Sequence, residues 1–271
     1  TIFAENFKAD PYWWEGAEPE TNLDPLPERA DVVVVGSGYA GINAATHLAR
    51  SGRSVVVLDS DRIGAGCSSR SGGMVSSGQK LVVGGAIKGI DPALVARLIG
   101  ESNESYDYLK MLIDTEKLDA GLNITGRFFG AHTANDYETL KRHGALLAEK
   151  TRVKVHFLDR EHQRAAIGSD FYHGGMLIDD YGGLHPGLYH RSLRERAKAS
   201  GVMLRSHARA SVVQEGPGDE KIVPTVRGAV RAMNVIIATN GYTGADQSPA
   251  LARRLVPVKS YQIATEPLPA D

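Results

Sequence analysis

Gly36, Gly38 and Gly41 follow an apolar run, Asp31-Val-Val-Val-Val35, and open an alanine-rich stretch, Ile42-Asn-Ala-Ala-Thr-His-Leu-Ala-Arg50. Glycines at this spacing can cradle a diphosphate. The first permits a sharp exit from a strand, the second lets main-chain N–H groups approach the phosphates, and the third lets a helix lie close on the sheet. The N-terminus of that helix adds unpaired donors and the positive end of its dipole. Asp59 closes the next apolar run, Val55-Val-Val-Leu58. A carboxylate there accepts hydrogen bonds from ribose hydroxyls and repels a 2′-phosphate, so FAD or NAD is favoured over NADP. A bare glycine triplet is common by chance; strand, turn, helix, second strand and terminal acid in register are not.

Two further segments bear on the same chemistry. Directly after Asp59 comes a loop dense in Gly and Ser, from Ser60 to Met74, where an NAD domain would usually begin another crossover helix. Such a loop can follow an extended ligand with backbone and hydroxyl donors. Downstream, Asn234-Val-Ile-Ile237 is a strand ending in the small, turn-forming Ala238-Thr-Asn-Gly241.

Other chemistries find little support. The nine histidines lack the paired spacing and acidic partners of a metal site, so no metal is expected. His185 stands before a proline-started helix and reads as part of its turn. No G-x-S-x-G elbow is present, because Ser37 belongs to the glycine turn. Cys67, the single cysteine, excludes an internal disulfide, fits a reducing cytoplasm and reads as a small apolar filler.

The elements that would position these groups alternate between helix and strand. Apolar spacing predicts helices over 94–118, about 136–151 and 187–200, with a short helix from Asp159. Strands are expected at 123–130, 153–158, 172–178, 202–204 and 210–214, with a hairpin turn at 215–219 and a strand-like run at 260–265. Residues 1–29 read as an extended arm anchored by Trp13 and Trp14.

Together, Asp31 to Gly41, Ile63 to Met74, Leu184-His-Pro186 with its helix, and Ala238-Thr-Asn-Gly-Tyr242 resemble the D-amino-acid oxidase and glycine/sarcosine oxidase superfamily of FAD-dependent amine oxidoreductases, most of all its gamma-glutamylputrescine oxidase-like branch. The likeness runs from Tyr12-Trp-Trp14 to the end. It implies that Gly36, Gly38 and Gly41 bind the pyrophosphate of FAD and that Asp59 holds the adenosine ribose. It places Ser68, Ser69, Gly72, Gly73 and Met74 along the ribityl and flavin side, Ala210 against the adenine, and Ala238, Thr239 and Gly241 at the diphosphate. One departure is Ser69-Arg70-Ser71-Gly72-Gly73, where the branch commonly has Gly-Arg-Asn-Gly-Gly; another is Met74 in place of a frequent polar residue. The implied activity is oxidation of a C–N bond in a small amine or amino acid by hydride transfer to flavin, the imine then being hydrolysed. No catalytic residue is assigned, and Arg127 and Tyr261 are taken as pocket walls. A dehydrogenase using another electron acceptor and a non-catalytic dinucleotide-binding or assembly module are the alternatives.

The fold class expected is α/β, a Rossmann-like FAD-binding domain with an inserted α+β substrate domain. Residues 30–90 and 184–250 are assigned to the first, and 91–183 with 251–271 to the second. The resemblance also implies that the chain is an N-terminal portion of such an enzyme, inactive by itself and lacking the C-terminal part. With 31 basic against 32 acidic residues and a net charge of -1, nothing electrostatic points to nucleic acid or an anionic membrane. No apolar run reaches the roughly 20 residues of a membrane span. The expectation is a cytoplasmic flavoprotein.

Overall fold

The computed structural model describes residues 3–77 and 91–266. In chain order its elements are β1 (Arg29–Val35), α1 (Tyr39–Arg50), β2 (Val55–Leu58), β3 (Met74–Ser76), α2 (Pro92–Thr115), β4 (Asn123–Ile124), β5 (Arg127–Gly130), α3 (Ala134–Lys150), β6 (Val155–Leu158), β7 (Gly175–Ile178), β8 (Tyr181–Gly183), α4 (Pro186–Ala199), β9 (Met203–Arg205), β10 (Gln214–Glu215), β11 (Lys221–Thr225), β12 (Gly228–Ile237) and α5 (Pro249–Ala252). They fall into two compact units, Thr1–Gly72 with His185–Asp271, and Gly73–Leu184.

In the first unit β9, β2, β1 and β12 lie side by side and parallel, and β11 and β10 continue the sheet antiparallel beyond β12. Val32 to Val35 and Val55 to Leu58 are all buried. This is why those strands read as unbroken apolar runs: a parallel strand is covered on both faces. One face carries the core of Val33, Val35, Val56, Leu58, Ala208, Ala210, Val223 and Val230. Helix α1 buries Gly41, Ile42, Ala45 and Thr46, and packs with α4, which buries Tyr189, His190, Leu193 and Ala197. The chain leaves β1 through α1 to β2 on one side, whereas β12 pairs on the other. Such a reversal opens a crevice at the carboxyl ends of the two strands, where ligands bind in open parallel sheets.

The second unit holds two three-stranded antiparallel sheets, β3-β8-β4 and β5-β7-β6, with α2 and α3. Leu147 of α3 joins Val153, Met176, Ile178 and Tyr181 in its core. Asp91 caps α2 by accepting the Ala93 N–H, and Thr133 with Asp136 forms a reciprocal capping box at α3.

The division falls elsewhere than expected from sequence. Residues 73–77 and Leu184, assigned from sequence to the first domain, group with the second unit, and 251–266 group with the first. Several elements also differ. The expected 210–214 strand shrinks to β10, with Ala210 making a single bridge to Thr225. The whole of β11 was missing from the pattern because Pro224 breaks it, yet Pro224 faces Ala229 across the β11–β12 pair and its carbonyl accepts the Ser211 N–H. The strand-like run at 260–265 pairs with nothing among the described residues, and Tyr261 and Ile263 stand exposed. Alternation supplies a face; a strand also needs an edge to join.

Candidate cofactor site

The turn between β1 and α1 is fixed by close backbone approach. Gly36 has φ +107°, a conformation L side chains resist, and a Cβ there would lie 2.7 Å from the Ala238 carbonyl oxygen. A Cβ on Gly41 would lie 2.0 Å from the Gly36 carbonyl oxygen and 3.3 Å from the Ala238 Cβ. The first and third glycines and the end of β12 therefore form one tight cluster, fastened by the Ala238 N–H donating to the Val35 carbonyl at 2.8 Å.

Ser37 and Asp59 tie this turn to the end of β2. The Ser37 N–H donates to Asp59 Oδ2 at 2.9 Å and its hydroxyl donates to the same oxygen at 2.5 Å. Ser37 Oγ in turn accepts the Gly64 N–H at 2.8 Å. Asp59 Oδ1 accepts the Asp61 N–H at 3.0 Å. With two acceptor directions per oxygen, Asp59 keeps one open direction, on Oδ1, among the described residues. His190 completes the cluster: its Nε2 lies 2.7 Å from the Ser37 carbonyl, so Nε2 must carry the proton. The ring is 2% exposed, and burial holds its pKa below the ordinary 6.5, keeping it neutral.

At the helix start, the Tyr39 N–H donates to Ser68 Oγ at 3.1 Å. Among the described residues the N–H groups of Gly38 and Ala40 meet no acceptor. The Gly/Ser loop after β2 is clamped by the N-terminal arm. Trp14 Nε1 donates to Ser69 Oγ at 2.9 Å, Ser69 donates on to the Gly64 carbonyl at 2.6 Å, and Trp13 Nε1 donates to the Ser71 carbonyl at 2.9 Å. Arg62 lies over the Trp14 ring at 4.8 Å. His185 Nδ1 accepts the Leu188 N–H, so this histidine caps α4 as its place before Pro186 suggested.

The residues singled out from sequence thus divide. Gly36, Gly38, Gly41, Asp59, Ser68 and Ala238 surround the turn, with Thr239 following Ala238 as the N-cap of a short 3-10 segment, Asn240–Tyr242, that contains Gly241. Ser69 is buried with its hydroxyl engaged inside the loop. The Ala210 methyl lies in the core, leaving its backbone as the part that can meet a ligand. Gly72 belongs to the first unit, whereas Gly73 and Met74 belong to the second, where Met74 is 71% exposed. Arg127 sits over Phe129 and Tyr181. Cys67 is exposed rather than packed, with its Sγ 3.1 Å from the Tyr242 hydroxyl, which also accepts from Arg70. Burial beside Cys67 raises the pKa of the Tyr242 phenol. The described residues contain no group of three or more metal-ligating side chains, and no helix among them is long and apolar enough to cross a membrane.

A family model described as FAD dependent oxidoreductase, DAO, matches residues 31–271. The chain belongs to this family. This DAO-family chain is 31% identical to gamma-glutamylputrescine oxidoreductase of Escherichia coli over 265 residues, covering 96% of this chain and 61% of that protein. It is 31% identical to the probable oxidoreductase OrdL of Haemophilus influenzae over 274 residues, covering 95% and 61%. The crystal structure of glycine oxidase from Geobacillus kaustophilus superposes with a TM-score of 0.70 at 20% identity, over 83% of this chain and 59% of that one, and shows the shared fold. The DAO-family chain spans about three fifths of the length of the curated relatives it matches. Its family is FAD dependent.

Proposed function

We propose that this chain binds the ADP half of FAD at the β1–α1 turn and serves an enzyme that oxidises a C–N bond of a small amine or amino acid. The observation that carries the binding assignment is the cluster of Gly36, Gly41 and Ala238 beneath an open helix N-terminus, with Asp59 held beside it. A side chain on Gly36 or Gly41 would push the turn and helix off the end of β12, and one on Gly38 would stand where backbone N–H groups must approach phosphates. The Gly38 and Ala40 N–H groups, free of protein acceptors among the described residues, supply the donors, and the α1 dipole favours the negative charge. Asp59, with its open direction on Oδ1, accepts one ribose hydroxyl; its remaining directions keep it oriented before ligand arrives. Ser68 lies beside Gly38, where its hydroxyl extends the same cradle.

FAD, when bound, supplies the hydride acceptor for amine oxidation. The chain's own part is to bind and orient: a rigid turn, a fixed carboxylate and an aromatic-clamped loop set where the nucleotide lies. The gamma-glutamylputrescine oxidoreductase among its relatives supports an amine as the substrate class. Adding FAD to purified protein and measuring quenching of flavin fluorescence tests the binding. Anaerobic addition of a panel of primary and secondary amines and amino acids to the full-length enzyme that contains this chain, followed by loss of visible flavin absorbance, tests the reaction. Saturable quenching and bleaching by at least one amine are expected. Uptake of FAD with no bleaching by any of them would refute the activity and leave the binding standing, whereas no uptake would refute both.

A further inference from the structure

His190 is a buried, titratable side chain to which neither the motif nor the family resemblance gives a task. It lies on α4, 153 residues from the turn, and its ring is 2% exposed. Its packing is specific. A Cβ on Gly64 would lie 2.3 Å from the His190 Cε1, so the Gly/Ser loop closes directly on the ring, and Tyr39 covers it with centroids 6.2 Å apart. Its Nε2–H donates to the Ser37 carbonyl at 2.7 Å.

The Ser37 carbonyl and the Gly38 N–H belong to one peptide plane. Every described peptide bond is trans, so the two groups point in opposite directions. Fixing the carbonyl inward therefore fixes the N–H outward, on the side of the turn facing away from α4. Such a lock matters here because rotation of this plane changes ψ of Ser37 and φ of Gly38, and glycine offers little steric resistance to that change. An unheld plane could turn its carbonyl, rather than its N–H, toward an anion. The opposite end of Ser37 is held separately, by the Asp59 carboxylate.

We propose that His190 is a positioning residue that aims the Gly38 N–H at the diphosphate of the bound nucleotide by holding the Ser37 carbonyl. This rests on the assignment of the turn as the ADP site. His190 does not touch the ligand; it sets the direction of a donor that does.

The test uses ADP and adenosine as probes, with affinities from NMR titration of ¹⁵N-labelled protein, for wild type, His190→Leu and His190→Gln. Leucine fills the volume without a donor; glutamine restores an N–H at similar reach. His190→Leu is expected to weaken ADP binding by about 10-fold or more, the scale of one hydrogen bond to a charged group, while leaving adenosine within about 2-fold. His190→Gln is expected to recover most of the ADP affinity. In wild type, the Gly38 amide resonance should move on addition of ADP and stay in place with adenosine, a readout that does not depend on either variant folding. Equal weakening toward ADP and adenosine, unchanged ADP binding in His190→Leu, or a Gly38 amide indifferent to ADP would each overturn the proposal. Absence of ADP and FAD binding by wild type would instead overturn the site assignment on which it stands.

Discussion

Replacing Gly41 with alanine separates helix propensity from the close approach that shapes the site. In a helix interior alanine is favoured over glycine by about 1 kcal/mol, so propensity alone would make Gly41→Ala more stable. The new methyl, however, would lie 2.0 Å from the Gly36 carbonyl oxygen, 3.1 Å from its carbonyl carbon and 3.3 Å from the Ala238 Cβ. Carbon-to-oxygen contacts settle at about 3.3 Å or beyond, so helix and turn must part by roughly 1 Å. Both neighbours are backbone or backbone-fixed, and neither can rotate away. Overpacking costs about 1–3 kcal/mol, and a 2.0 Å contact with fixed backbone belongs in the upper half of that range, about 2–3 kcal/mol, which outweighs the propensity gain and leaves a net loss of about 1–2 kcal/mol. The same displacement draws the α1 N–H groups from the phosphates. Loss of one hydrogen bond to a charged group corresponds to about 10–100-fold weaker binding. Thermal melts without ligand, together with FAD titration by fluorescence quenching, read both effects. Gly52→Ala is the control: φ is +81° and nothing lies within 4 Å of the new Cβ, so it should cost about 1 kcal/mol with FAD affinity unchanged. A Gly41→Ala protein that melts at or above wild type and binds FAD equally well would refute this account of the turn.

Three further outcomes follow from the same cluster. Asp59→Asn puts an NH₂ group where Oδ1 or Oδ2 accepts from Ser37 and Asp61, so it should lower ligand-free stability by about 1–2 kcal/mol as well as weaken ADP binding; denaturant melts of apo protein check the first effect. Trp14→Phe keeps most of the ring under Arg62 but removes the donor to Ser69, and should cost about 1 kcal/mol and increase amide exchange over residues 64–71. The third outcome concerns pH. Burial holds His190 below the 6.5 of an unfolded histidine, so between those two values the unfolded chain carries a proton that the native ring refuses. Native stability should therefore fall as pH drops below about 6.5, by up to about 1.4 kcal/mol per unit from this group, and the difference in stability between wild type and His190→Gln should change with that slope. A pH-independent difference would show that the ring protonates freely in the fold.

The β1–α1–β2 unit was legible in the residues because its signals are local: a valine run, three spaced glycines and an acid closing the second run. Asp59 could be placed for the same reason. The partners that orient it could not. Ser37 occupies a variable position of the triplet, and its bond to Asp59 spans 22 residues. His190 sits on an amphipathic helix with no spacing that marks it, and its neighbour Ser37 is 153 residues away. The expected ligand roles of Ser69 and Ala210 came from resemblance, and the fold employs the Ser69 hydroxyl inside the loop and the Ala210 methyl in the core. Strand β11 was hidden by Pro224, and the alternation at 260–265 could not say whether an edge was available to pair with it.

A crystal structure with ADP or FAD bound tests the central claim most directly. The diphosphate should lie within about 3 Å of the Gly38 and Ala40 nitrogens, with one ribose hydroxyl donating to Asp59 Oδ1 and the Ser37–Asp59 bonds intact. A nucleotide bound elsewhere on the chain, or a turn closed over by side chains in the presence of saturating ligand, would contradict it.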